Sequence, residues 1–161
     1  MLSDSTIRRA RDSDRDALVS IWERSVRATH HFLTGTDIED LRPFAAKELR
    51  SGSIDLWILV NAKDVPLGFI GIVNDRIEAL FLDPVAHGKG GGRRLVAHAQ
   101  SLSGGALAVD VNEQNEAARA FYESLGFSVV GRSDLDGAGR PFPLLHLRRP
   151  PPSDFHFQER T

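Results

Sequence analysis

The stretch whose reading decides the fold is His87-Gly88-Lys89-Gly90-Gly91-Gly92-Arg93-Arg94. Glycines at 88, 90, 91 and 92 allow a close backbone approach, and Leu95, Val96, Ala99 and Leu102 follow at helical spacing. Upstream, Asp83-Pro84 closes a strand-like run over residues 77–82. A strand, a glycine loop and a helix in that order aim backbone N–H groups at an anion on the helix's positive end. His87, Lys89, Arg93 and Arg94 add flanking cationic character, so phosphate suits the loop. A glycine cluster alone reads equally well as a plain turn. Neither common nucleotide fingerprint fits. No Lys-Ser/Thr pair ends the loop, and it follows the fourth strand candidate instead of opening a βαβ unit.

Working outward, residues 6–9 form a short strand candidate, and Ser13 with Asp16 reads as a capping box. The helix it would open carries an apolar stripe of Ala17, Leu18, Ile21, Trp22 and Val26. Thr36 with Glu39 predicts a second helix through Leu41, Phe44, Ala45 and Leu49, kinked or split at Pro43. Runs at 56–60, 67–73 and 77–82 then predict a three-strand meander, with Asn74-Asp75 turning the second into the third. After the loop and its helix come a strand over 106–111, a helix over 115–125 with Gly126 at its C-cap, and strands over 127–131 and 143–148. Pro150-Pro151-Pro152 ends the pattern. Residues 1–149 are therefore expected to form one domain, and residues 150–161 a polar, flexible tail to which no function is assigned.

Composition narrows the chemistry. A chain of 161 residues with 41% hydrophobic and 26% charged residues suits one folded domain. A formal net charge of -2 and the lack of any long Lys/Arg block disfavour nucleic acid and membrane surfaces as partners. No cysteine is present, which removes disulfides, thiolate catalysis and cysteine-based zinc sites. The adjacent His30 and His31 cannot act as an i, i+4 ligand pair, so no metal is expected. With no signal-like start and no apolar run near the ~20 residues that span a bilayer, the expected location is the cytoplasm.

The glycine loop resembles the acyl-CoA signature of the GNAT acyltransferase superfamily: Arg or Gln, two variable residues, Gly, one variable residue, then Gly or Ala. Downstream, Asn115-Glu116-Ala117-Ala118-Arg119-Ala120-Phe121-Tyr122 and Leu125-Gly126-Phe127 resemble that family's next motif at its usual separation. More narrowly, Trp22, Ser25-Val26, Ala28-Thr29-His30, Phe32-Leu33, Asn112-Glu113-Gln114-Asn115 and Arg140-Pro141-Phe142-Pro143-Leu144-Leu145 resemble a bacterial, YjaB-like branch. The resemblance implies an α/β (α+β) GNAT fold. Its mixed, mostly antiparallel sheet has about six or seven strands, is splayed centrally, and carries about four helices on both faces. Two positions depart from the signature. His87 stands where Arg or Gln is usual, and Gly91 replaces a branched aliphatic residue. Both departures predict weaker or pH-dependent phosphate binding.

The resemblance also implies roles. Acetyl-CoA is the implied cofactor, with its pyrophosphate on His87, Gly88, Lys89, Gly90, Gly91, Gly92 and Arg93. Its pantetheine arm is implied along Leu80, Phe81 and Leu82, admitted by a gap between the strands at 77–82 and 106–111, and near Asn115, Ala118, Phe121 and Tyr122. Tyr122, the one tyrosine in the chain, matches the residue that protonates the departing thiolate. A phenol of pKa about 10 is protonated at neutral pH for that task. As an isolated residue beside Phe121, Tyr122 reads first as core packing, and the motif context reverses that reading.

Asp110 and Glu78 are the candidate bases for the acceptor ammonium, with a salt-bridged or surface role as the alternative for each. His30, His31 and Phe32 are the candidate acceptor-binding residues, a simple helix-end interaction being the alternative for the histidines. The implied activity is direct N-acetylation of a primary amine on a small molecule, peptide or protein, in a monomer or homodimer. The alternative is a non-catalytic acyl-CoA sensor that regulates a protein partner.

Overall fold

The computed structural model describes residues 2 and 4–151, so the expectations for residues 152–161, including Asp154-Phe155-His156-Phe157, lie outside the described residues. The elements in chain order are β1 (Thr6–Arg9), α1 (Arg15–Thr29), α2 (Gly35–Arg50), β2 (Asp55–Val60), β3 (Pro66–Val73), β4 (Arg76–Leu82), α3 (Gly91–Ser103), β5 (Leu107–Asn112), α4 (Glu116–Ser124), β6 (Ser128–Ser133) and β7 (Leu144–Arg149). The strands form one seven-stranded sheet in the order β1-β2-β3-β4-β5-β7-β6. Pairings are antiparallel for β1-β2, β2-β3, β5-β7 and β6-β7 and parallel for β4-β5, so the sheet is mixed. The β4-β5 register comprises Arg76↔Ala108 and Ile77↔Val109. The chain divides into two compact units: residues up to 73 with 78–98, and residues 74–77 with those from 99 onward.

In the first unit, strand alternation sends successive β2 side chains to opposite faces. Leu56, Ile58 and Val60 join Leu18, Ile21, Trp22 and Val26 of α1, Ile38 and Leu49 of α2, and Phe69 of β3 in a buried cluster. Trp57 instead meets His98 of α3, their ring centroids 4.4 Å apart. Helices therefore cover both faces of this part of the sheet. Burying a Leu or Ile side chain contributes about 1.5–3 kcal/mol, which outweighs the weak propensities that local sequence offers.

Two capping expectations are corrected. The Ser13/Asp16 box does not form. Asp14 closes the preceding 3-10 turn (Asp12–Asp14), accepting from the Arg11 amide at 2.7 Å and from the Arg8 guanidinium at 2.9 and 3.1 Å. Asp16 instead accepts from Arg50 of α2 at 2.5 Å. The box opening α2 is Thr34 with Asp37, whose reciprocal bonds are 3.0 and 2.9 Å, in place of Thr36 with Glu39. Both pairs have the required spacing, so sequence alone does not choose between them. α2 runs as one assigned helix through Pro43.

In the second unit, β5 alternates strictly. Leu107, Val109 and Val111 are buried, whereas Ala108, Asp110 and Asn112 are half-buried. Its antiparallel register with β7 sets Val109 opposite Leu147, Asp110 opposite His146 and Val111 opposite Leu145. Residues directly opposite share a face, so Leu145 and Leu147 join the buried side while His146 joins Asp110.

Candidate active site

The glycine loop is built from the end of β4 onward in the first unit. Asp83 leaves the strand with its N–H donating to the Leu67 carbonyl at 2.7 Å and its carboxylate capping Val85 at 3.2 Å. The same carboxylate takes Arg24 of α1 at 2.6 Å. A 3-10 turn over Pro84–Ala86 then delivers His87, whose Nε2–H donates to the Leu82 carbonyl at 2.9 Å.

Gly88 and Gly90 adopt φ of 74° and 83°, in the left-handed region that favours glycine, and nothing lies within 4 Å of where a Cβ would stand. Their backbone is thus open on the side a side chain would fill. The loop enters α3 with the Arg94 N–H donating to the Gly90 carbonyl at 3.2 Å. The amides of Gly91, Gly92 and Arg93 precede that bond and form the helix's electropositive start. Lys89 and Arg93 are exposed beside them. This arrangement fits a pyrophosphate: open glycine backbone, helix N-terminus and two exposed cations.

Arg94 does not serve this loop. Its guanidinium donates to the Ser5 carbonyl at 2.9 Å, to the Leu2 carbonyl at 3.2 Å and to the Ser5 hydroxyl, so its charge anchors the N-terminal segment. Gly91, the other departure, has a packing reason. A Cβ there would lie 2.9 Å from the Leu59 Cδ2, 3.2 Å from the Leu82 Cδ2 and 3.3 Å from the Leu2 Cδ1. Leu80, Phe81 and Leu82 are half-buried on β4, and Glu78 on the same strand is exposed.

His30 caps α1, and its N–H donates to the Val26 carbonyl at 2.8 Å. The Thr29 hydroxyl donates to the Ser25 carbonyl at 2.7 Å, which leaves its oxygen to accept from His30 Nδ1–H at 2.8 Å. Burial, with the neighbouring His31 adding to it, pushes the His30 imidazole below its ordinary value. Burial thus favours the neutral form of the ring at this helix end. Phe32 stacks on it at a tilted centroid distance of 5.4 Å, and His31 is exposed.

In the second unit, Asn115 caps α4 by accepting from the Ala118 N–H at 3.1 Å. At the other end the Phe127 N–H returns to the Tyr122 carbonyl at 3.1 Å through Gly126, whose φ is 94°. That turn sets Phe127 edge-on to Tyr122 at 5.3 Å, while Phe121 meets it edge-on at 5.1 Å. Tyr122 is 5% exposed, and burial pushes its phenol above the ordinary value near 10. The phenol therefore stays protonated throughout the neutral range and can serve as a proton donor.

Asp110 is engaged on both oxygens. Arg76 of β4 pairs with one, and His146 Nδ1 lies 2.6 Å from the other. His146 Nε2 in turn lies 2.7 Å from the Ser133 hydroxyl of β6. The sequence reading singled out neither His146 nor Ser133. The opposition of His146 to Asp110 follows from register, and Ser133 reaches the ring because β6 shifts register between Val129 and Gly131. Without that extra residue, Val130 and Arg132 would occupy the His146 face in place of Gly131 and Ser133.

Comparison with known proteins bears on the family and the fold. A family model described as an acetyltransferase (GNAT) domain matches residues 36–142. The chain is similar to the peptidyl-lysine N-acetyltransferase YjaB of Escherichia coli K12, at 46% identity over 146 residues, covering 88% of this chain and 95% of that one. It is also 42% identical over 144 residues to the protein of the same name from Salmonella typhimurium, covering 89% and 97%. The solution structure of apo YjaB from Escherichia coli superposes with a TM-score of 0.80 at 44% identity, over 89% of this chain and 96% of that one.

Proposed function

The chain belongs to the acetyltransferase (GNAT) family and is an acetyl-CoA-dependent N-acetyltransferase, and from that premise we propose that its acceptor is the ε-amine of a lysine in a peptide or protein. The observation that carries this reading is the 46% identity to a peptidyl-lysine N-acetyltransferase over 88% of the chain. Family membership makes the chain a transferase instead of a non-catalytic sensor. Among the described residues, no helix is long and apolar enough to cross a membrane.

Bound acetyl-CoA supplies the acetyl group as an activated thioester. The amides of Gly88, Gly90, Gly92 and Arg93 hold its pyrophosphate, and Lys89 and Arg93 offset the charge. The backbone of Leu80 to Leu82 holds the pantetheine arm and offers an N–H to the developing oxyanion. A preorganised donor of that kind lowers a barrier by about 3 kcal/mol. Tyr122 would give its proton to the departing thiolate, a step open to a phenol that is protonated at neutral pH. His30, His31 and Phe32 contribute to acceptor binding, and the strands that carry Glu78 and Asp110 contribute to deprotonation of the lysine ammonium.

Mass spectrometry of lysyl peptides incubated with enzyme and acetyl-CoA tests the acceptor. The expected product is one acetyl group heavier, with the modification on the lysine Nζ. Modification of polyamines or small amines with lysyl peptides left untouched would overturn the reading.

A further inference from the structure

The geometry points to a proton relay in which Ser133 and His146, held by Asp110, take the proton from the acceptor lysine. The inference rests on the lysine reading above, and it replaces Asp110 as the direct base. Both Asp110 oxygens are engaged, one by Arg76 and the other by His146 Nδ1 at 2.6 Å. A carboxylate paired with a guanidinium is ionised and can only accept, so His146 Nδ1 must carry a hydrogen. In the neutral imidazole this leaves Nε2 as an acceptor. The group 2.7 Å away is the Ser133 hydroxyl, which therefore donates to it. The order Asp110, His146, Ser133 is thus polarised in one direction, with the serine oxygen at its head. A histidine held in one tautomer by a carboxylate is the arrangement that makes an imidazole an effective base.

Local structure is arranged to keep this row intact. Asp110 and His146 are direct partners across an antiparallel ladder. Gly131 stands opposite His146, and a Cβ at that position would lie 3.3 Å from the ring Cδ2, so the glycine leaves space for the imidazole to lie toward Ser133. The register shift between Val129 and Gly131 brings Ser133 onto this face. From the neighbouring strands, the charged groups facing His146 are Asp110 and, behind it, Arg76. β6 contributes the Ser133 hydroxyl, and Arg148 lies two residues along its own strand.

The chemistry balances as a deprotonation. An N–H bond of the lysine ammonium breaks as an O–H bond forms at Ser133 Oγ, whose former proton forms an N–H bond at His146 Nε2. The imidazolium keeps its Nδ1–H on Asp110 and returns the Nε2 proton to water after turnover. Lysine, at a reference pKa of about 10.4, is almost wholly protonated at pH 7, so the neutral amine needs such a base.

The test combines kinetics and nitrogen NMR of the intact enzyme acting on a lysyl peptide. His146→Gln keeps a donor toward Asp110 and takes no proton. We expect its kcat to fall at least tenfold at pH 7 with the KM for acetyl-CoA within twofold of wild type. The deficit should shrink toward pH 10, where solvent supplies the neutral amine. Ser133→Ala, a smaller change, should show the same pH-dependent deficit. In the wild-type protein, the ¹⁵N shifts of His146 should report hydrogen on Nδ1 and none on Nε2 at pH 8.

A His146→Gln kcat within twofold of wild type, a loss equal at every pH from 7 to 10, an Nε2–H tautomer, or an acetyl group recovered on Ser133 would each overturn the relay. If the wild-type enzyme leaves lysyl peptides unmodified, the acceptor reading fails instead, and the tautomer measurement still judges the hydrogen-bond order.

Discussion

The Nε2 of His87 lies 2.9 Å from the carbonyl oxygen of Leu82, the last residue of β4. The ring therefore ties the glycine loop back to the strand that precedes it, and a histidine in place of the family's usual Arg or Gln still orders the loop. We expect His87→Ala to raise the KM for acetyl-CoA about fivefold, the worth of one net hydrogen bond of about 1 kcal/mol, with kcat within twofold of wild type. Steady-state kinetics at varied acetyl-CoA checks this, and an unchanged KM would make the contact incidental.

Tyr122→Phe removes a hydroxyl and keeps a ring edge-on to both Phe121 and Phe127. Turnover should fall at least tenfold, about 1.4 kcal/mol of barrier, while acetyl-CoA binding by calorimetry stays within threefold of wild type. Unaltered turnover would exclude the phenol as the acid.

The raised phenol pKa has a consequence for stability. Below about pH 10 both the folded and unfolded chains hold the proton, and the packing of the neutral ring is fully effective. Above it the unfolded chain ionises first, so stability is lost as pH rises toward the folded value. Urea midpoints between pH 9 and 11 should fall more steeply for the wild type than for Tyr122→Phe.

Arg94 donates to the Ser5 and Leu2 carbonyls and to the Ser5 hydroxyl. Arg94→Ala should cost about 1–3 kcal/mol of folding stability by removing the guanidinium bonds that hold the N-terminal segment, above all the one to the Ser5 carbonyl, and change the acetyl-CoA KM less than twofold. A large KM effect at unchanged stability would return this residue to the phosphate site.

His30 has a folded pKa below its ordinary 6.5 because burial disfavours the charged ring. As pH falls below 6.5 the unfolded chain takes up the proton first, so the stability His30 confers is complete above that value and declines below it. Between pH 7 and 5 the melting temperature should drop more in the wild type than in His30→Gln. Equal slopes would place the titrating group elsewhere.

Much of this protein was legible in the order of its residues. The glycine loop, the stripe of α1, the strand runs and the Asn115-to-Phe127 motif are local patterns. Period, capping spacing and turn residues act over a few positions, so a linear reading reaches them. Where two local patterns compete, as with Thr34/Asp37 and Thr36/Glu39, the spacing is identical and the choice is made by the folded helix. The same holds for Arg94, which looks like a phosphate ligand from its neighbours and is claimed by Ser5, 89 residues away in sequence.

Sequence by itself determined the family-bearing loop, the strand and helix order, and the lone phenol. Tertiary structure alone decided which groups surround Asp110, because Arg76, His146 and Ser133 come from three other strands. One extra residue in β6 sets which side chains turn toward them. Strand register inverts the facing set with each single-residue shift, and no pattern within one strand records the register it will take with its neighbour.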